Sequence, residues 1–124
     1  NVVEKIAIAN PKNAPYGEMA VKFFREKGMY ESIKNRLVYG ESISQVNEYI
    51  INKNVSVGVG AKSIVFSPKI TEKGIYLELE KKYWIEQGVV EITSNKLLQE
   101  KSAFMKFIFS SEGQKILKKN GYEQ

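Results

Sequence analysis

The sequence predicts an α/β domain, a mixed but mostly parallel sheet flanked by helices. Three observations carry this. Residues 6–17, IAIANPKNAPYG, form an apolar run that stops at Asn10-Pro11, turns, and opens a helix. Residues 37–45, LVYGESISQ, repeat that strand–loop–helix order. Apolar residues recur at helical spacing between the strand-like runs, and such alternation pairs strands in parallel through right-handed crossovers.

Lys5 to Ala9, with Val2 and Val3 leading in, is apolar enough to be buried on both faces, as parallel strands are. Pro15 suits the first turn of a helix, where its missing N–H costs nothing. That helix runs from about Tyr16 to Lys27, with Met19, Ala20, Phe23 and Phe24 on one face and Gly28 as its stop. A short helical turn over Met29–Lys34 leads to a second strand, Leu37–Tyr39. Ser42 and Gln45 fit the capping box of a further helix, whose apolar face is Ile43, Val46, Tyr49 and Ile50. It ends within Asn52–Asn54. A third strand follows over Val55–Gly60, where Gly58 and Gly60 predict close approach of another group.

Ala61–Phe66 reads as a short helix stopped at Ser67-Pro68. Ile75–Glu80 alternates apolar and polar residues like a half-exposed edge strand, and Val89–Ile92 reads as one more. Asn95–Phe109 is an amphipathic helix. Ser111 with Gln114 predicts a second capping box for the last helix, which Lys118, Lys119 and Gly121 close.

At 124 residues the chain suits one domain with a substantial core. No run approaches the roughly 18 apolar residues of a membrane span, and NVVEKIAIAN has no basic region ahead of a long apolar one, as a signal peptide would. The absence of cysteine excludes disulfides and thiolate chemistry. With no histidine either, Ser-His-Asp catalysis and the common zinc sites are excluded. The charge is +5, but the nineteen Lys and Arg are dispersed, which reads as a solvated surface rather than a nucleic-acid face.

In open α/β sheets ligands bind beyond the carboxyl ends of the strands. Tyr16 and Ile43 fall there, each at a helix start, where free backbone N–H groups and the positive dipole end favour an anion. Many helix starts bind nothing, so the pattern alone is weak. Ser42 offers a hydroxyl, although as an N-cap it is committed to the Gln45 N–H. Lys12 lies on a loop and reads as solvated. Glu78 and Glu80 share a strand face without the marks of an acid–base pair. Tyr76, Tyr83 and Trp84 lack a basic stripe around them and read as packing residues rather than a base-stacking platform.

IAIANPKNAPYG, together with LVYGESISQ, VSVGVGAKS, IEQGVV and the closing SSEGQKILKKNGY, resembles the molybdate-binding proteins of ABC importers, which are type II periplasmic binding proteins. The motifs stand in family order over nearly the whole chain. The resemblance implies a non-enzymatic, periplasmic or extracytoplasmic, possibly membrane-anchored binding component with a membrane permease as partner. Its ligand would be molybdate or tungstate, with no cofactor and no nucleic acid. It implies main-chain contacts at Tyr16 and Ile43, flanked by Pro15 and Ser42. Some relatives use a tyrosine just after the third strand; here that position is Ala61, which leaves Tyr16 to compensate. Family members carry a further stretch ahead of the ANP motif that forms most of the first lobe. Residues 1–84 would then be the second lobe, and 85–124 the hinge return and C-terminal helices of the first. Leu97, Phe104, Met105, Ile108 and Phe109 would lose their cover, which predicts self-association. The alternatives are a receptor for another small oxyanion such as sulfate or phosphate, and the effector-binding domain of a transcription regulator.

Overall fold

The computed structural model describes residues 3–66, 74–92 and 98–123. Three parallel strands, β1 (Ile6–Ala9), β2 (Leu37–Gly40) and β3 (Val57–Gly58), form a sheet in the order β2-β1-β3. Helices α1 (Pro15–Glu26), α2 (Tyr30–Ile33), α3 (Ile43–Ile51) and α4 (Lys62–Val65) alternate with them, and α5 (Leu98–Ile108) and α6 (Ser111–Lys119) follow. β1 is central because it alone is buried throughout. Its register sets Ile6 against Leu37 and Ala9 against Gly40 on one side, and Ile6 against Val57 on the other.

Side chains alternate across a strand, and β1 uses both faces. Ile6 and Ile8 pack with Ala20, Val21 and Phe24 of α1 and Ile33 of α2. Ala7 and Ala9 pack with Val46 of α3. The helix that follows β1 therefore covers one face and the helix that follows β2 the other. Alanines on the α3 side let that helix approach closely. Ile8 is fully buried, which stabilises the fold by about 1.5–3 kcal/mol.

The predicted helix α1 forms one residue earlier than expected, with Pro15 in its first turn. It ends at Glu26, and Gly28, just past the Lys27 C-cap, has a φ of +67° that lets the Met29 N–H donate to Phe24 O at 2.8 Å. Beyond the sheet, two expectations fail. Ile75–Glu80 forms no strand; residues 74–80 are irregular, with Ile75 99% and Leu77 90% exposed. Val89–Ile92 is likewise irregular. Alternation makes a strand only where a partner ladder lies alongside, and among the described residues the sheet ends at β2 and β3. β3 is also shorter than Val55–Gly60, because its ladder with β1 spans only two residues.

The last helix is capped by Ser110, not Ser111: its Oγ accepts from the Gly113 N–H at 3.1 Å, while Gln114 Nε2 donates to Ile108 O. The serine one place earlier takes the extended conformation that an N-cap needs. The expected starts at Val2 and Asn95, the exposed face at Leu97 and the stop at Ser67-Pro68 lie outside the described residues.

Tyr83 anchors the following segment on α1. Its ring meets Phe23 edge-on at 5.2 Å and its hydroxyl donates to the Glu26 carboxylate at 2.6 Å. Trp84 Nε1 donates to Leu79 O. Tyr83 is a buried packing residue, as expected, whereas Trp84 is half-buried with the Lys81 ammonium 5.1 Å from its ring centre. The C-terminal tail seats on α4, where Gly121 lies against Phe66 and Glu123 pairs with Lys62.

Candidate functional site

Three loops leave the carboxyl ends of the strands, and each opens a helix. The first, residues 10–14, is held by its own main chain. Asn10 N–H donates to Gly40 O at 2.8 Å, tying the loop to β2. Asn10 O accepts from the Asn13 and Ala14 N–H groups, and Asn10 Oδ1 accepts from the Lys12 N–H. An asparagine here closes the turn locally, which sets where α1 begins.

Gly17 then sets how near α1 comes to the strand. A Cβ on it would stand 2.1 Å from Ala9 O and 2.7 Å from Ala9 C. Only a residue without a side chain brings the first turn of α1 against the end of β1. Pro15 and Tyr16 are carried to the sheet edge by that approach. Pro15 contributes no N–H, and the Tyr16 N–H has no partner among the described residues.

In the second loop, Ser42 Oγ accepts from the Gln45 N–H at 3.3 Å. Gln45 Oε1 accepts from the Glu41 N–H at 2.7 Å. The capping box thus closes one residue upstream of its usual partner. It commits the Ser42 hydroxyl to structure and leaves the Ile43 N–H without a partner among the described residues. Asn13 Nδ2 donates to Glu41 Oε2 at 3.2 Å, joining the first loop to the second.

The Tyr16 and Ile43 side chains both pack on the Ala7, Ala9 and Val46 cluster. The two helices cover opposite faces, yet their first turns meet the same side of the sheet at its carboxyl edge. Burial pushes the Tyr16 phenol above its ordinary pKa, and the nearby Tyr122 phenol adds to the rise. It stays a neutral hydroxyl at physiological pH, able to donate a hydrogen bond.

The third loop, residues 59–61, follows β3. Its Val59 N–H donates to Ala7 O at 2.9 Å. Ala61 is buried and forms the N-cap of the four-residue α4, with no side-chain cap. Its methyl group offers no polar contact. Lys62 beside it is already paired, with Glu78 at 2.9 Å and with Glu123, and lies 5.9 Å from the Trp84 ring centre. Those carboxylates hold its ammonium above the ordinary lysine pKa.

Asn47 is the one buried polar residue of the described core. It lies within the apolar face of α3, one turn beyond Ile43, and is 7% exposed. A polar residue inside that stripe was the available signal. Tyr122, by contrast, reaches the neighbourhood of Tyr16 only through the fold.

The arrangement offers main-chain donors from the starts of α1 and α3. No cluster of three or more acidic, cysteine or histidine groups able to hold a metal occurs among the described residues. One concavity of about 260 Å³ lies between the 89–92 segment and α5, lined by Val90, Ile92, Phe104 and Met105 among others.

The model of the bacterial extracellular solute-binding protein family matches residues 1–123. The chain is 32% identical to a molybdate-binding protein, ModA, of Rhodobacter capsulatus, over 97% of this chain and 47% of that one. It is 29% identical to the ModA of Azotobacter vinelandii, over 98% of this chain and 49% of that one. The solved Azotobacter vinelandii periplasmic molybdate-binding protein superposes with a TM-score of 0.80 at 22% identity, covering all of this chain and 55% of that one. That superposition shows the periplasmic-binding-protein fold. The chain spans about half the length of the curated relatives it matches.

Proposed function

The chain belongs to the bacterial extracellular solute-binding proteins, and we propose that it is the substrate-binding component of an ABC importer for molybdate or tungstate. On this reading residues 1–84 are the second lobe of a two-lobed receptor, and residues 85–124 return to complete the first. The partner is a membrane permease, the location extracytoplasmic, and the role non-enzymatic. The names of its molybdate-binding relatives support the ligand class.

One observation carries the chemistry. The Tyr16 and Ile43 amides open two helices at the same sheet edge, over one apolar cluster, and neither has an intramolecular partner among the described residues. A tetrahedral dianion takes such donors without a cationic side chain. Hydrogen bonds to a charged group contribute about 1.5–3 kcal/mol each, so two amides hold the ligand weakly and donors from a facing lobe complete the affinity. A site of donors alone favours a fully deprotonated oxyanion over one that must donate a proton.

Calorimetric titration of the intact two-lobed protein with molybdate, tungstate, sulfate and phosphate side by side tests the reading. Heat of binding with the first two and none with the others is expected. Preference for sulfate or phosphate would replace the proposed ligand, and no binding of any would remove the oxyanion reading.

A further inference from the structure

Asn47 Oδ1 is the one buried side-chain polar atom without a hydrogen-bond partner among the described residues. It projects from α3 beneath the third loop. A Cβ on Gly60 would stand 3.2 Å from this oxygen and 4.0 Å from Ile43 Cδ1. Gly60 therefore packs beside both the orphaned acceptor and the tip of the Ile43 side chain, with no side chain of its own between the loop backbone and the carboxamide. A sealed acceptor with no donor destabilises the fold that contains it. Leucine has a similar shape and would avoid that penalty, so the carboxamide needs an explanation beyond packing. The donors closest in the chain to its cover are the Gly60 and Ala61 N–H groups, which have no partner among the described residues.

We infer that Asn47 is a positioning residue of the oxyanion site, its carboxamide oxygen accepting from the main chain of the 59–61 loop when ligand is bound. This rests on the oxyanion reading above. An anion at the starts of α1 and α3 draws the third loop toward α3. Oδ1 then takes a loop N–H and fixes the loop over the ligand. Glycine at position 60 keeps a side chain from standing between the loop backbone and the carboxamide. The penalty in the free protein is relieved in the bound one, which makes the group a gain for binding and a loss for stability.

The test uses Asn47→Leu and Asn47→Asp in the intact two-lobed protein, with molybdate titrated calorimetrically between about pH 5.5 and 8.5 and melting measured without ligand. Asn47→Leu is expected to melt higher than the wild type and to bind molybdate at least tenfold more weakly. Asn47→Asp keeps an acceptor oxygen but buries a carboxylate near the dianion. Burial raises the pKa of such a group into this range, so its affinity is expected to be poor at pH 8.5 and to recover toward pH 5.5, while that of the wild type changes little. A residue with only a structural role would shift melting and leave the pH profile parallel to the wild type. Wild-type affinity in Asn47→Leu, or a parallel profile in Asn47→Asp, overturns the inference. If Asn47→Leu does not fold, the Asn47→Asp profile decides alone. A wild type that binds none of the four oxyanions overturns the underlying reading, and this inference with it.

Discussion

Gly17→Ala gives the sharpest test of how the site is held. The added Cβ would stand 2.1 Å from Ala9 O, and Ala9 C and Asn10 C follow at 2.7 and 2.8 Å. Ordinary carbon contacts begin near 3.5 Å, so α1 must retreat from β1 by roughly 1 Å. All three obstacles are backbone, and Ala9 is paired with Gly40 in the sheet, so no flexible group can yield instead. Overpacking of this kind costs about 1–3 kcal/mol, which lowers the melting midpoint by roughly 4 °C for each kcal/mol in a chain of this size. The Tyr16 amide lies one residue away and moves with the helix. A hydrogen bond lengthened by that much, beyond about 3.5 Å, is lost, so oxyanion affinity falls about tenfold or more.

Thermal unfolding and molybdate titration read the two effects together. Gly74→Ala is the control, since its Cβ meets nothing within 4 Å and should change neither. A Gly17→Ala protein as stable as the wild type would refute the claim that the missing side chain sets the α1–β1 approach. A destabilised variant with unchanged affinity would detach Tyr16 from the site.

Ile43→Pro removes one amide with little backbone strain, because Ser42 is already extended (φ −143°, ψ 165°) and Ile43 is the first helical residue; titration should show a loss of at least tenfold, against less than threefold for Tyr16→Phe if only the amide binds. Phe104 and Phe109 are 60% and 65% exposed, and sedimentation should show concentration-dependent association that Phe104→Glu with Phe109→Glu abolishes; a strictly monomeric wild type refutes it. The Glu26 carboxyl is held below its ordinary pKa by the Tyr83 hydroxyl and then by Lys82. A depressed folded-state pKa gives stability that is present above the unfolded value near 4.5 and lost as pH falls through the folded one. The unfolding midpoint of Glu26→Gln should therefore depend less on pH below about 4.5 than that of the wild type, and identical acid limbs would discount the Tyr83 contact.

Much of the site-bearing half was legible in the sequence because its signals are local. Asn10-Pro11 ends a strand, Pro15 opens a helix, and Ser42 with Gln45 caps another; each acts within four residues. The β1 run IAIA announces its own burial on both faces. The C-terminal half misled where a pattern needed a distant partner. Ile75–Glu80 has the alternation of a strand, but a ladder requires a second strand beside it. Ser110 and Ser111 are chemically alike, and only the extended backbone at 110 decides which one caps α6.

By itself the sequence determined the α/β class, the order of its first three strand–helix units, the positions of Tyr16 and Ile43 at helix starts, and the family resemblance. Backbone propensity and capping chemistry act over a few residues, so one dimension suffices to read them. Only the tertiary structure decided that Ala7 and Ala9 admit α3 while Ile6 and Ile8 receive α1, that Tyr16 and Ile43 share one cluster, and that Asn47 faces Gly60 with its oxygen unmet. Those facts depend on which segments the sheet brings side by side, and that is settled by packing between residues far apart in the chain.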